Sequence, residues 1–486
     1  MSAATHPSDA PIIVWFRQDL RIADNPALAH AAQTGRPVIP VFILDDETPG
    51  VWKTGSASRW WLHYSLKSLN DNLTRLGTPL LLRRGNSAVI LDQLVAETRA
   101  AGIVWNRCYE PFARDRDAII KSELGNAGLD VKSFNGSLLV EPWTVQTKSD
   151  APYRVFTPFW REARTQLTDV ALAAAPRHLT AMESSPSGDC LNDWALRPSQ
   201  PNWAEGFSET WEPGELGAHA ALEHFLERRV KDYAEGRDRA DLNITSTLSP
   251  HLHWGEISPA QIWTAVHASG DEDVSRDAQK FLSEIGWREF SYNLLFHFPT
   301  FPTDNHQVRF DDFPWQGTET QFKAWTRGRT GYPFVDAGMR QLWKTGWMHN
   351  RVRMVAASFL IKHLMIDWRR GQDWFWDTLV DADLASNSAS WQWVAGSGAD
   401  AAPYFRIFNP TTQGEKFDPK GAYIRKWVPE LAKLPTKWIH APHTAPAEVL
   451  AAANVSLDQT YPRPIVDHKH ARDRALSAFK NLKAAA

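Results

Sequence analysis

The stretch IVWFRQDLRIADNPAL, Ile13–Leu28, carries the chain from a strand into a helix, and its reading decides the fold. Ile12 to Phe16 is a compact apolar run of the kind that fills a buried parallel strand. Asp24 and Asn25 bring side-chain oxygens to the open N–H groups of a helix start, and Pro26 suits the first turn. The helix so begun runs to Thr34 and closes at Gly35, after which Val38 to Leu44 reads as a second buried strand. Further out, Leu62, Leu66, Leu69, Leu73 and Leu76 recur at spacings of four and three before Gly77, a helix with one apolar stripe. Leu80 to Leu82, a helix around Ile90 to Ala100 closed by Gly102, a strand at Ile103 to Trp105 and a helix from Arg114 to Leu124 continue the alternation. Strands alternating with helices specify a doubly wound parallel sheet, so an α/β, Rossmann-like domain is expected over residues 1–134.

That domain has no G-x-G-x-x-G after its first strand and no G-x-x-x-x-G-K, so it does not read as an NAD or ATP site. Residues 135–205, punctuated by Pro142, Pro152, Pro158, Pro176, Pro186, Pro198 and Pro201, read as an irregular interdomain connection. Residues 206–486 are expected to be all-α, with helices such as Ala218 to Arg228, Asp277 to Phe296, Phe334 to Trp343 and Trp347 to Asp367. A chain of 486 residues, 43% hydrophobic, can bury such a two-domain core. Cys108 and Cys190 are too few for a disulfide framework or a cysteine-ligated metal site. The N-terminal stretch around Pro7 and Pro11 indicates neither a signal peptide nor a spanning helix, so a soluble, cytoplasmic protein away from membranes is expected, and a monomer is expected with it. A net charge of -3 gives no global attraction to nucleic acid, so phosphate binding needs a local basic surface.

Four clusters in the helical part carry the candidate chemistry. TSTLSP, Thr245 to Pro250, is a hydroxyl run before a helix; it serves as an ordinary N-cap or as a phosphate cradle. In FLSEIGWREF, Phe281 to Phe290, the residues Glu284, Trp287 and Arg288 share one helix face, where spacing alone favours an intrahelical Glu–Arg pair over a packed Trp. In WMHNRVRM, Asn350, Arg353 and Met354 share a face while Arg351 points elsewhere. Around them Lys323, Arg327, Arg329, Arg340 and Lys344 join Arg351 and Arg353 against Asp336 alone, with Trp325, Tyr332, Trp343 and Trp347 interleaved, which reads either as a nucleic-acid surface or as a solvated helix face. In Leu379 to Pro410, Asp381 and Asp383 lack a His or further carboxylate at ligand spacing, so they pair with arginines or accept from a ligand, and no metal is expected.

Taken together, these motifs resemble the photolyase/cryptochrome family, from IVWFRQDLRIADNPAL to YPRPIVDHKHAR, Tyr461 to Arg472, and most resemble its bacterial cyclobutane pyrimidine dimer photolyases. The resemblance implies an α/β antenna domain joined to a helical domain that binds FAD, and light-driven repair of pyrimidine dimers in DNA. It places the FAD diphosphate near Tyr233 and Thr245, Ser246, Thr247, Leu248 and Ser249. Asp381 and Asp383 would meet the ribityl and flavin end, Arg353 would lie over the isoalloxazine and pair with Asp381, Arg288 and Asn350 would complete the shell, and Asn387 would face flavin N5.

The same resemblance assigns Glu284 to a pyrimidine edge, Trp287 and Trp393 to stacking walls, Met354 to an apolar floor, and Arg237, Arg351, Arg406 and Gln413 to flanking phosphates or sugars. Asn350, too, belongs to this DNA-facing set. Trp391, Trp368 and Trp315 match a chain of tryptophans that passes electrons inward. Asn350 and Met354 stand where six-four photolyases resemble one another in carrying histidine, which favours cyclobutane dimers. A cryptochrome photoreceptor is the alternative, and its usual long C-terminal extension is absent after Arg472. The antenna, a methenyltetrahydrofolate or a deazaflavin, is implied near CYEPFARDRD, Cys108 to Asp117, where Phe112 and Ala113 replace the polar residues of folate-binding members.

Overall fold

A computed structural model describes residues 9–268, 275–401 and 405–482. Its first part is the expected doubly wound α/β unit: β1 (Ile12–Phe16), α1 (Pro26–Gln33), β2 (Val38–Leu44), α2 (Ser56–Leu76), β3 (Leu81–Arg84), α3 (Ser87–Thr98), β4 (Gly102–Asn106), α4 (Pro111–Asn126) and β5 (Asp130–Phe134). Among the described residues the sheet is five-stranded, all parallel, in the order β3-β2-β1-β4-β5. The local signals act as anticipated. Asn25 caps α1 by accepting from Leu28 N at 3.0 Å, and Gly77 closes α2 at φ +114°, a conformation that favours glycine. β5 was not anticipated: of its five residues only Val131 and Phe134 are apolar, and they fall on opposite faces, so this edge strand shows no period-two apolar pattern.

The rest of the chain is helical. After α5 (Phe156–Thr165) come α6 (Glu215–Arg228), α7 (Tyr233–Gly236), α8 (Ser249–His253), α9 (Pro259–His267) and α10 (Arg276–His297). Then follow α11 (Glu319–Thr326), α12 (Pro333–Thr345), α13 (Asn350–Ser358), α14 (Trp368–Thr378), α15 (Leu384–Ala395) and α16 (Pro410–Phe417), with a last helix at His468–Lys480. The single helix expected from Trp347 to Asp367 is broken. α13 ends at Ser358, a π-helical turn spans Phe359–His363, and Met365 reverses the chain at φ +56° before Asp367 caps α14. Apolar residues continue through the wide turn, so periodicity could not reveal the break.

The proline-rich connection also differs from the expectation, because it contains α5 and packs as core. Phe159 and Trp160 are buried against α10, where a Cβ on Gly286 would stand 2.6 Å from the Trp160 ring; only glycine permits that approach. Two buried charges stitch the sheet to the helices. Arg21 donates to Gly255 O (2.9 Å) and Gly136 O (2.7 Å). Glu215 accepts from Ile22 N (3.0 Å) and Ala23 N (2.9 Å). Among the described residues no helix is long and apolar enough to cross a membrane, and no cluster of His, Cys, Asp or Glu could hold a metal ion.

Candidate active site

Helices α7, α8, α10, α13 and α15 enclose a cavity of about 530 Å³, within the size range of cofactor sites. Of the residues singled out in the sequence, Tyr233, Arg237, Ser246, Leu248, Ser249, Glu284, Trp287, Arg288, Asn350, Arg351, Arg353, Met354, Asp381, Asp383, Asn387, Trp391 and Trp393 all line it. Chain segments more than a hundred residues apart are thus brought to one wall.

The floor is buried and charged. Asp383 caps α15, accepting from Ser386 N at 2.7 Å, and Tyr292 donates its hydroxyl to the other carboxylate oxygen. Arg353 donates from Nη2 to both oxygens of Asp381 (3.1 and 2.8 Å) and from Nε to Met348 O (2.7 Å), and these two anchors fix the guanidinium. Asn387 gives its amide N–H to Gln372 O (3.1 Å), which leaves its carbonyl oxygen to the cavity. His253 also lines the floor with an unpartnered, buried Nδ1, and burial holds its pKa below the usual histidine value. An acceptor, a fixed cation and an orphaned ring nitrogen converging on one cavity suit a flat, heteroatom-rich cofactor such as FAD.

The rim is more open and carries alternating charge. Glu284 does not pair with Arg288, against the preference drawn from helix spacing. Its carboxylate takes Arg237 on one oxygen (2.7 Å) and Lys280 on the other (2.9 Å), while Arg288 turns to Ser137 O (2.8 Å) and lies 3.6 Å from Glu289. Nor does Arg351 point away: it lines the rim, paired with Asp238 at 2.5 Å. Trp287 is stacked from behind by Phe156, ring centroids 3.9 Å apart and planes at 10°, and Phe156 N donates to Asp400 (3.2 Å).

Several expectations fall outside this cavity. Thr245 and Thr247 line a second one of about 720 Å³, with Trp211, Trp347, His251 and His349, because Thr247 adopts φ +59° and the run alternates sides. Arg406 is exposed beside Trp393 and Phe405, and Gln413 lies on α16 with a buried, unpartnered Oε1. Trp368 is fully buried, donating to Asn305 Oδ1 (2.9 Å), and Trp315 packs half-buried on Phe313 at 4.6 Å. Gly371, on the same helix as Trp368, lies so near the Trp391 ring that a Cβ there would stand 2.1 Å from it. In the basic stretch 323–353 Trp325 and Tyr332 are core residues and Arg340 is spent on Glu430, while Trp343 is exposed and Trp347 lines the second cavity. Sequence reasoning missed Lys280, Asp238, His253 and Phe156. Only Lys280 had a signal, four residues before Glu284 on one helix.

A doubly wound sheet closed against a helical unit with a charged-floored cavity defines a two-domain protein built around a flat cofactor. Residues 12–179 match the family model described as DNA photolyase, and residues 281–481 match the FAD binding domain of DNA photolyase. The deoxyribodipyrimidine photo-lyase of Agrobacterium fabrum is 53% identical over 98% of this chain and 98% of its own. Cryptochrome-2 of Arabidopsis thaliana is 40% identical over 98% of this chain and 80% of its own. The crystal structure of a bacterial class III photolyase from Agrobacterium tumefaciens matches with a TM-score of 0.95 at 52% identity, covering 100% of both chains. The chain belongs to the DNA photolyase family and carries that family's FAD-binding domain.

Proposed function

We propose that the protein repairs cyclobutane pyrimidine dimers in DNA by light-driven electron transfer from reduced FAD. The observation that carries this is the single cavity that joins a buried, charged floor to a rim with a carboxylate, an indole and three cations. Bound FAD supplies the photoexcited electron that opens the cyclobutane ring, and the chain does the rest. Tyr233, Ser246, Leu248 and Ser249 line the diphosphate end, Asp381, Asp383 and Arg353 fix the flavin end, Arg288 and Asn350 complete the shell, and Asn387 accepts the hydrogen of a protonated N5, which favours the reduced state.

A dimer must leave the duplex to reach the rim, and its weakened pairing lowers that cost. Glu284 then accepts from a pyrimidine N–H, Trp287 and Trp393 stack on the bases and Met354 packs beneath them, while Arg237 and Arg351 meet the backbone; Arg406 and Gln413 serve more peripherally. Trp391, Trp368 and Trp315 carry electrons inward when oxidised flavin must be reduced. Illuminating the reduced holoprotein with a dimer-containing oligonucleotide should restore intact pyrimidines, and unchanged dimer content would overturn the repair reading. Dark binding of the dimer without turnover would instead favour a cryptochrome-type photoreceptor.

The division into an antenna domain (1–134), a connection (135–205) and a catalytic domain (206–486), and a monomeric cytoplasmic protein, belong to the same reading. A second chromophore, a folate or a deazaflavin, is placed by this reading not at Cys108–Asp117, where Arg116 lies over the Trp15 ring, but in the second cavity, with Trp211 and Trp347 for stacking and Arg229 for an acidic tail. One family relative, the archaeal photolyase from Sulfolobus tokodaii, was crystallised with two FAD molecules. The absorption spectrum of the ligands released on denaturation identifies what is held.

A further inference from the structure

Lys280 has no role in the account above, yet it holds one oxygen of the carboxylate on which lesion recognition rests. It sits one helical turn before Glu284 on α10, so both side chains leave the same face, and it lines the cavity with its side chain 38% exposed. The two oxygens of Glu284 are divided between Arg237 on one side and Lys280 on the other. A carboxylate held by two cations is an acceptor only, and an ammonium is a donor only. The wall therefore presents an acceptor with a donor on either side, Arg237 and Lys280.

That order distinguishes the pyrimidines. Thymine shows a donor at N3–H and beside it an acceptor at the C4 carbonyl; cytosine shows the reverse, an acceptor at N3 and an amino donor at C4. We propose that Lys280 is a specificity-determining residue: with Glu284 accepting from thymine N3–H, its ammonium donates to the adjacent C4 carbonyl and stabilises the charge that the transferred electron brings there. The inference rests on the repair reading and goes beyond it by assigning a preferred base.

In a dimer the C5–C6 double bonds are gone, so the C4 carbonyl is part of the π system that remains to receive an electron. The electron enters there, the C5–C5 and C6–C6 bonds between the two bases break, and the electron returns to FAD. No proton is transferred and Lys280 keeps all of its own. An ammonium already in place where charge develops needs no reorganisation, and its effect grows as bound DNA excludes water from the rim.

Lys280→Met keeps the aliphatic stem and removes the charge; Lys280→Arg keeps a donor. Each is compared with the wild-type holoprotein for dark affinity and for repair per absorbed photon at saturating oligonucleotide, with a thymine–thymine dimer and with a cytosine-containing one. K280M should lose roughly fivefold in repair per photon on the thymine dimer and much less on the cytosine-containing dimer, so that the preference collapses, while K280R retains both. Unchanged repair per photon in K280M, an equal fall on both lesions, or a loss of dark affinity alone would overturn the proposal. A wild-type protein that leaves thymine dimers intact would overturn the repair reading itself, whereas an active wild type beside an unaffected K280M sinks only the role of Lys280.

Discussion

Two places in this molecule invite comparison as sites for a flat ligand, one by its fold and one by its open space, and they are built in opposite ways. One is the switch point of the parallel sheet, outside the carboxyl ends of β1 and β4, where open α/β sheets usually bind. There the protein fills the crevice with its own side chains: Arg17 and Arg116 lie over the Trp15 ring at 4.2 and 4.6 Å, Trp105 packs edge-on at 5.8 Å, and Arg17 is neutralised by Asp117 at 2.9 Å. The other is the helical cavity, where arginines and carboxylates pair around the walls and leave the middle open. At the first site the cations stack across the space a ligand would need; at the second they are tied back. The fold alone would therefore have pointed to the wrong place, and the arrangement of charges points to the right one.

The comparison breaks most visibly at Asp381. Asp381→Ala removes the carboxylate that holds the half-buried Arg353 beside the cavity, so flavin affinity should fall about a hundredfold and the protein should purify colourless; a yellow variant would contradict the placement of the cofactor. The plugged crevice gives the next effect. Arg17→Met should lower stability by about 3 kcal/mol in denaturant titration while flavin content stays at the wild-type level, and loss of flavin would show that the two regions are not independent.

Glu289 ties α10 to the connecting segment, accepting from Leu139 N (2.9 Å) and Val140 N (3.2 Å), and burial pushes its pKa up to about 7. A raised carboxyl pKa means that the folded state holds the proton more tightly than the unfolded chain. Stability is thus unaffected where both states are protonated and falls as pH rises from the ordinary carboxylate range through 7. Glu289→Gln should flatten that fall, a gain on the order of 2 kcal/mol at pH 8, measured as the pH dependence of the unfolding midpoint; an unchanged slope would reassign it. The smallest effect belongs to the rim. Phe156→Ala removes the stack behind Trp287, about 1 kcal/mol, and should raise KM for dimers roughly fivefold without changing repair per photon at saturation. An unchanged KM would show that Trp287 needs no backing.

Much of the site was legible because its residue types are unusual where they stand. Asp381 and Asp383 without metal partners, and Asn350, Arg353 and Met354 on one helical face, declare themselves by spacing, and the cavity gathers all five. What failed did so for physical reasons. Helix spacing joined Glu284 to Arg288, but Arg237 from another helix and Lys280 lie nearer, and the Ser137 carbonyl claims Arg288. The basic stretch 323–353 counted charges without knowing that Glu430 and Asp238 would arrive to neutralise two of them.

By itself the sequence determined the alternation of strand and helix, the cap at Asn25, the helix stop at Gly77, and the family, because these depend on neighbours within a few residues or on motifs read in order. Only the tertiary structure decided that the proline-rich connection is core, that the helix after Trp347 breaks at a π-turn, and which cation holds which carboxylate. Capping and periodicity are local and repeat wherever the same residues occur. Pairing across a cavity is a competition among partners from distant segments, and distance in space, which the order of residues does not record, settles it.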